Sequence, residues 1–116
     1  MRVVAYIPDL LFGSSVLEGL RSAGHEPVLV GGPEALAKAL PGAQVLIVDL
    51  TSDPEDRIRV VSQDLGSGVR TLAFYSHVEA EVRAQAEAAG FDQVVPRSRM
   101  AREGVALVER LSAEPT

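Results

Sequence analysis

Six side chains with chemistry to offer stand at or just beyond the ends of short apolar runs, where strands would deliver them to one edge of a sheet. Asp9 follows Val3-Val4-Ala5-Tyr6-Ile7, and Asp49 closes Val45-Leu46-Ile47-Val48. Tyr75, Ser76 and His77 come at the end of the run that starts at Val69, and Arg97 follows Gln93-Val94-Val95. Two carboxylates, two hydroxyls, an imidazole and a guanidinium brought together could hold a cation, bind an anion or lock one another. A carboxylate such as Asp49, at a strand end facing a crevice, needs a partner or water. The forked guanidinium of Arg97 suits that role, so the two are expected to pair. Asp9 stands just before a helix, where a carboxylate caps free amides; with Asp49 it is also a candidate metal ligand. Ser76 and Glu79 have capping-box spacing. Cysteine is absent and His25 is the other histidine, so His77 has no neighbour with which to build a transition-metal site. Gly13-Ser14-Ser15 could cradle an anion but lacks the glycine spacing of dinucleotide or P-loop sites.

The elements that must position these groups alternate along the chain. Val16, Leu17, Leu20 and Ala23 recur at helical spacing, and Gly24 follows as a left-handed stop. Pro27 to Val30 reads as a second strand, and Gly31-Gly32-Pro33-Glu34 opens a short helix over Leu36, Ala39 and Leu40 that Pro41-Gly42 ends. After the third strand, Asp53-Pro54-Glu55-Asp56 supplies a cap, a proline and acids for a helix burying Ile58, Val61 and Leu65 and closed by Gly66. Ser76 starts a fourth helix, which buries Val78, Val82, Ala86 and Ala89 and stops at Gly90-Phe91. Ser98 caps a last helix that buries Met100, Leu107, Val108 and Leu111, and the tail from Ala113 to Thr116 is expected to fray.

Strand and helix thus alternate five times within 116 residues, which predicts one doubly wound α/β domain spanning 1–116. A five-stranded parallel sheet of order 2-1-3-4-5 fits best, with function outside the carboxyl ends of its strands. The balance of 11 basic against 16 acidic residues gives a formal charge of −5, so neither nucleic acid nor an anionic membrane is an expected partner. No apolar run approaches the roughly 18 residues of a membrane span, and the chain opens on a strand rather than a signal peptide; a cytoplasmic location is expected.

The run Val45-Leu46-Ile47-Val48-Asp49 and the stretch from Ala88 to Arg97, Ala-Ala-Gly-Phe-Asp-Gln-Val-Val-Pro-Arg, resemble the receiver domain of response regulators, and the resemblance covers nearly the whole chain. It implies a flavodoxin-like three-layer sandwich in which Asp49 matches the phosphoacceptor and Arg97 stands at the position of the family's lysine. A full receiver also has an acidic pair after strand one that holds magnesium. Here an ungapped count puts that pair on Ile7 and Pro8, with Asp9 one place beyond. The hydroxyl position falls on Tyr75 with Ser76 next, and the aromatic switch position falls on Val94. The resemblance therefore implies a stand-alone degenerate pseudo-receiver, a noncatalytic signalling module without a required cofactor. The alternative is a true phosphoacceptor in a two-component pathway, with the Asp49 carboxylate as nucleophile and magnesium, on Asp9 and Asp49, neutralising the incoming oxygens. A small-molecule site over strands one and three is a third reading.

On the fourth helix Ala80, Ala84 and Ala88 form a small-residue ridge, and Arg99 and Arg102 follow Arg97 in a basic cluster. In receivers the face of helix four, strand five and helix five is the usual output surface. The resemblance thus implies a protein partner or a second copy docked there.

Overall fold

The computed structural model describes residues 1–66, 68–76 and 79–113. Continuous β-branched runs belong to strands covered on both faces, and five of them form the sheet: β1 (Arg2–Tyr6), β2 (Glu26–Val30), β3 (Val45–Asp49), β4 (Arg70–Tyr75) and β5 (Gln93–Pro96). All pairings are parallel, in the order β2-β1-β3-β4-β5. Parallel neighbours need long crossovers, and each crossover carries a helix: α1 (Leu10–Ser22), α2 (Pro33–Ala39), α3 (Pro54–Asp64) and α4 (Ala80–Ala88), with α5 (Arg97–Ala113) closing the chain.

Side chains alternate across a strand, so the sheet divides the interior into two layers. Val3, Ala5 and Ile7 face Phe12 and Leu20 of α1 and Met100, Leu107, Val108 and Leu111 of α5. Val4 and Tyr6 face the opposite layer, built with Leu36 of α2, Val60 and Val61 of α3, and Val82 and Ala86 of α4.

The glycine stops after α1 and α4 are as expected. Gly24 and Gly90 have φ of 89° and 93°, and beyond them the amides of His25 and Phe91 reach back to the carbonyls of Leu20 and Ala86. Other local expectations need correction. Asp53 precedes α3 in a left-handed conformation (φ 45°) and its carboxylate makes no capping bond. On α3 the buried face is Arg57, Val60 and Val61, with Ile58 only half-buried and Leu65 exposed. The helix ends when Leu65 turns extended, before Gly66. Ser76 does not cap α4: the helix starts four residues later, after the Glu79 amide has bonded the Ser76 carbonyl at 2.9 Å. Ala89 is exposed at the end of that helix, and Val78 lies outside the described residues, as do positions 114–116 of the tail. Ser98 is inside the first turn of α5, which begins at Arg97 without an intervening loop.

Candidate functional site

The carboxyl ends of β1, β3, β4 and β5 bring Asp9, Asp49, Ser76 and Arg97 to one edge, but in two separate sets of contacts. Asp9 caps α1. Its Oδ1 accepts from the amides of Leu11 (3.1 Å) and Phe12 (3.2 Å), which would otherwise be orphaned at a helix start. Its Oδ2 faces Arg97 Nη2 at 3.7 Å. The Arg97 guanidinium lies 4.1 Å above the ring of Phe12, which in turn tilts against Phe74 with centroids 5.1 Å apart. Arg97 is therefore committed to α1 through an ion pair and a cation–π contact.

Asp49 is 2% exposed, and its carboxylate turns back on its own chain. Oδ1 accepts from the Thr51 amide (2.8 Å) and the Thr51 hydroxyl (2.5 Å). The expected Asp49–Arg97 clamp is absent: Thr51, two residues away, satisfies the carboxylate locally, and Phe12 offers Arg97 an aromatic face instead. The backbone carbonyl of Asp49 accepts from Arg57 Nη1 at 2.7 Å, and that guanidinium lies 5.3 Å from the centre of the Tyr6 ring. Arg57 is only 8% exposed, so a fixed cation from α3 occupies the ground beneath the ends of β1 and β3.

Above Asp49 an open crevice of about 440 Å³ is lined by Thr51, Ser76, Glu79, Arg97 and Ser98. Three hydroxyls, one guanidinium and one carboxylate give it the means to hydrogen-bond a small polar group. Tyr75, expected in this site, is instead a core residue in the α2, α3 and α4 layer. His77 lies outside the described residues.

No family model and no curated protein matches the chain. Solved structures do. A response regulator receiver protein from Burkholderia phymatum superposes with a TM-score of 0.81 at 20% identity, covering 99% of this chain and 97% of its own. An orphan response regulator of Helicobacter pylori gives 0.77 at 17% identity over 97% and 96% of the two chains. An atypical orphan response regulator, whose structure revealed a phosphorylation-independent regulatory mechanism, gives 0.76 at 18% identity over 100% and 99%. The fold is the receiver fold of response regulators.

A magnesium ion in that receiver fold would ask for several free oxygens in octahedral array. One oxygen of Asp49 already accepts two bonds, and Asp9 is divided between its cap and Arg97. Among the described residues no three His, Cys, Asp or Glu side chains gather as a metal cluster.

Thr51, Arg57 and Phe12 are the residues that sequence reasoning missed. Thr51 carried a signal, since an Asp followed two residues later by Thr is a local turn pairing. So did Arg57, which stands four residues before Val61 on the buried stripe of α3. On the partner side, Ala80, Ala84 and Ala88 are all exposed, flanked by the Arg83–Glu87 pair at 2.8 Å. That hydrogen bond to Glu87, with Tyr75 behind it, holds the Arg83 guanidinium above its ordinary value. Arg99 and Arg102 both reach Glu103 Oε2, at 3.4 and 3.9 Å, and Arg102 and Glu103 line a groove between α5 and α1, whereas Arg97 is turned to Asp9 and Phe12. No helix among the described residues is long and apolar enough to cross a membrane.

Proposed function

We propose that this receiver-fold domain is a noncatalytic regulatory module that works without phosphorylation, through protein contacts on the face of α4, β5 and α5. One observation carries the reading. At the acceptor position Asp49 is buried, its Oδ1 takes two bonds from Thr51, and its backbone carbonyl is held by the fixed guanidinium of Arg57. Aspartyl phosphate formation needs a free carboxylate oxygen aimed at the phosphorus and a held cation to tolerate the added charge. Asp9, tied to α1 and Arg97, is poorly placed to supply the second ligand. The likeness in fold to an atypical orphan regulator that acts independently of phosphorylation supports the same reading. For the output face, the support is the exposed Ala80, Ala84 and Ala88 ridge, which lets another backbone approach closely.

The second reading, a true phosphoacceptor at Asp49 with magnesium, draws on the crevice above it, where Thr51, Ser76, Ser98 and Arg97 could surround a phosphoryl group. Incubation with acetyl phosphate and millimolar magnesium, followed by intact-mass measurement in acid beside an Asp49→Asn control, separates the two. The expected result is no Asp49-dependent gain of phosphate. Such a gain, or magnesium-dependent NMR shifts with beryllofluoride, would establish the second reading.

A further inference from the structure

We infer that the groove between α1 and α5 is a binding site for a small amphipathic carboxylate, its head on Arg102 and an apolar body of about eight carbons laid past Val105 and Gly19. The inference does not depend on whether Asp49 accepts phosphate. The groove has a volume of about 410 Å³, within the range of small-molecule sites. Its walls include Phe12, Val16, Leu20, Met100 and Val105, and of these Leu20 and Met100 are only 1% exposed. A floor so recessed is reached by a thin chain rather than by the broad face of a partner protein. Two helical glycines border the groove. Gly104 is explained within the chain, because a Cβ there would come within 3.1 Å of Met100 Cε. Gly19 is not: a Cβ would meet only Val105 Cγ2, at an ordinary 3.5 Å. Glycine is less favourable than alanine inside a helix, and the chain's own packing gives no reason for it at position 19. An occupant of the groove does, since a side chain there would fill part of the space.

Charge selects the head group. On one rim Glu103 Oε2 is shared by two guanidiniums, Arg99 at 3.4 Å and Arg102 at 3.9 Å, which leaves one positive charge over. The Arg102 side chain is 68% exposed, and its fork can turn to an added carboxylate. The other acid of the groove, Glu109, is already engaged, with its Oε2 2.9 Å from His25 Nε2. An anion is therefore favoured over a cation. Position sets the length. Arg102 and Glu109 are seven residues apart on α5, about 10 Å along the helix axis, with Val105 between them. An alkyl chain of about eight carbons that starts at Arg102 ends before it meets the Glu109 carboxylate.

Titration of the full chain with sodium octanoate, followed through the NMR amide signals of the groove residues, tests the site. The expected result is a saturable one-to-one shift of these signals below about 5 mM ligand, with octanol and octylammonium binding more weakly. Arg102→Gln is expected to weaken octanoate about fivefold and to leave octanol unchanged, a split that a merely structural role of Arg102 would not produce. Gly19→Ala is expected to raise the melting temperature and yet weaken octanoate severalfold, and Gly19→Leu to weaken it at least about tenfold by filling the groove. Thermal melts check that each variant is folded. The absence of saturable shifts, shifts confined to the crevice above Asp49, or octylammonium binding as tightly as octanoate would overturn the inference. So would octanoate binding indifferent to Arg102→Gln or to Gly19→Ala, or a melting temperature that falls in Gly19→Ala, since the fold itself would then need the glycine.

Discussion

The ends of β1 and β3 carry the same side chain at neighbouring places on the sheet and use it in opposite ways. Asp9 is half-exposed and organises what comes after it: it starts α1 and holds Arg97 over Phe12. Asp49 is buried and is itself organised, by Thr51 on the carboxylate and by Arg57 on the carbonyl. Burial makes the difference. A carboxylate in water can exchange partners at little cost, whereas one withdrawn from water must be matched by fixed donors or not be charged at all. The Asp49 end should therefore behave as structure and the Asp9 end as an adjustable surface.

That contrast can be broken by mutation, beginning where the loss should be greatest. Arg57→Ala removes a buried donor and leaves the Asp49 carbonyl without it, and should cost about 3 kcal/mol in urea denaturation, the range for a charge-assisted bond. A loss below about 1 kcal/mol would mean that solvent reaches this position freely. Asp49→Ala strands the amide and hydroxyl of Thr51 and should cost about 1–3 kcal/mol. If the melting temperature rises instead, Asp49 was being repelled by other acids and the site is a crowded acidic one. Asp49→Asn, which keeps an acceptor oxygen, should lie between wild type and alanine.

Smaller effects are expected at the β1 end. Asp9→Ala loses a helix cap and should cost about 1 kcal/mol. Arg97→Ala gives up an exposed cation–π contact and a long ion pair, about 0.5–1 kcal/mol together. Double-mutant cycles sharpen the comparison further: Asp9 with Arg97 should couple by a few tenths of a kcal/mol, and Asp49 with Arg97 not at all. A large Asp49–Arg97 coupling would restore the clamp that the sequence suggests.

The sheet order, the glycine stops and the buried stripes of α5 were legible because each follows from spacing along the chain. Val45 to Val48 could only be a strand covered twice, and Gly24 and Gly90 mark left-handed positions that other residues avoid. What spacing does not convey is where a side chain turns once it arrives. Asp49 and Arg97 do reach the same edge, but the first bonds its own loop and the second lies on an aromatic ring. Arg57 was passed over for a related reason. A charge on a helix is ordinarily solvated, and only the packing of α3 beneath Tyr6 makes this one interior.

The sheet, one residue thick, acts as a bulkhead between two compartments that share backbone and almost nothing else. Leu46 and Ile47 are joined by a peptide bond, yet their side chains belong to different compartments, one roofed by α2, α3 and α4 and the other by α1 and α5. Sequence drift can therefore remodel either compartment without waiting for compensating changes in the other, since residues that share no side-chain neighbours perturb stability nearly independently. The surfaces of α4 and α5, roofing different compartments, can each be retuned on its own historical schedule.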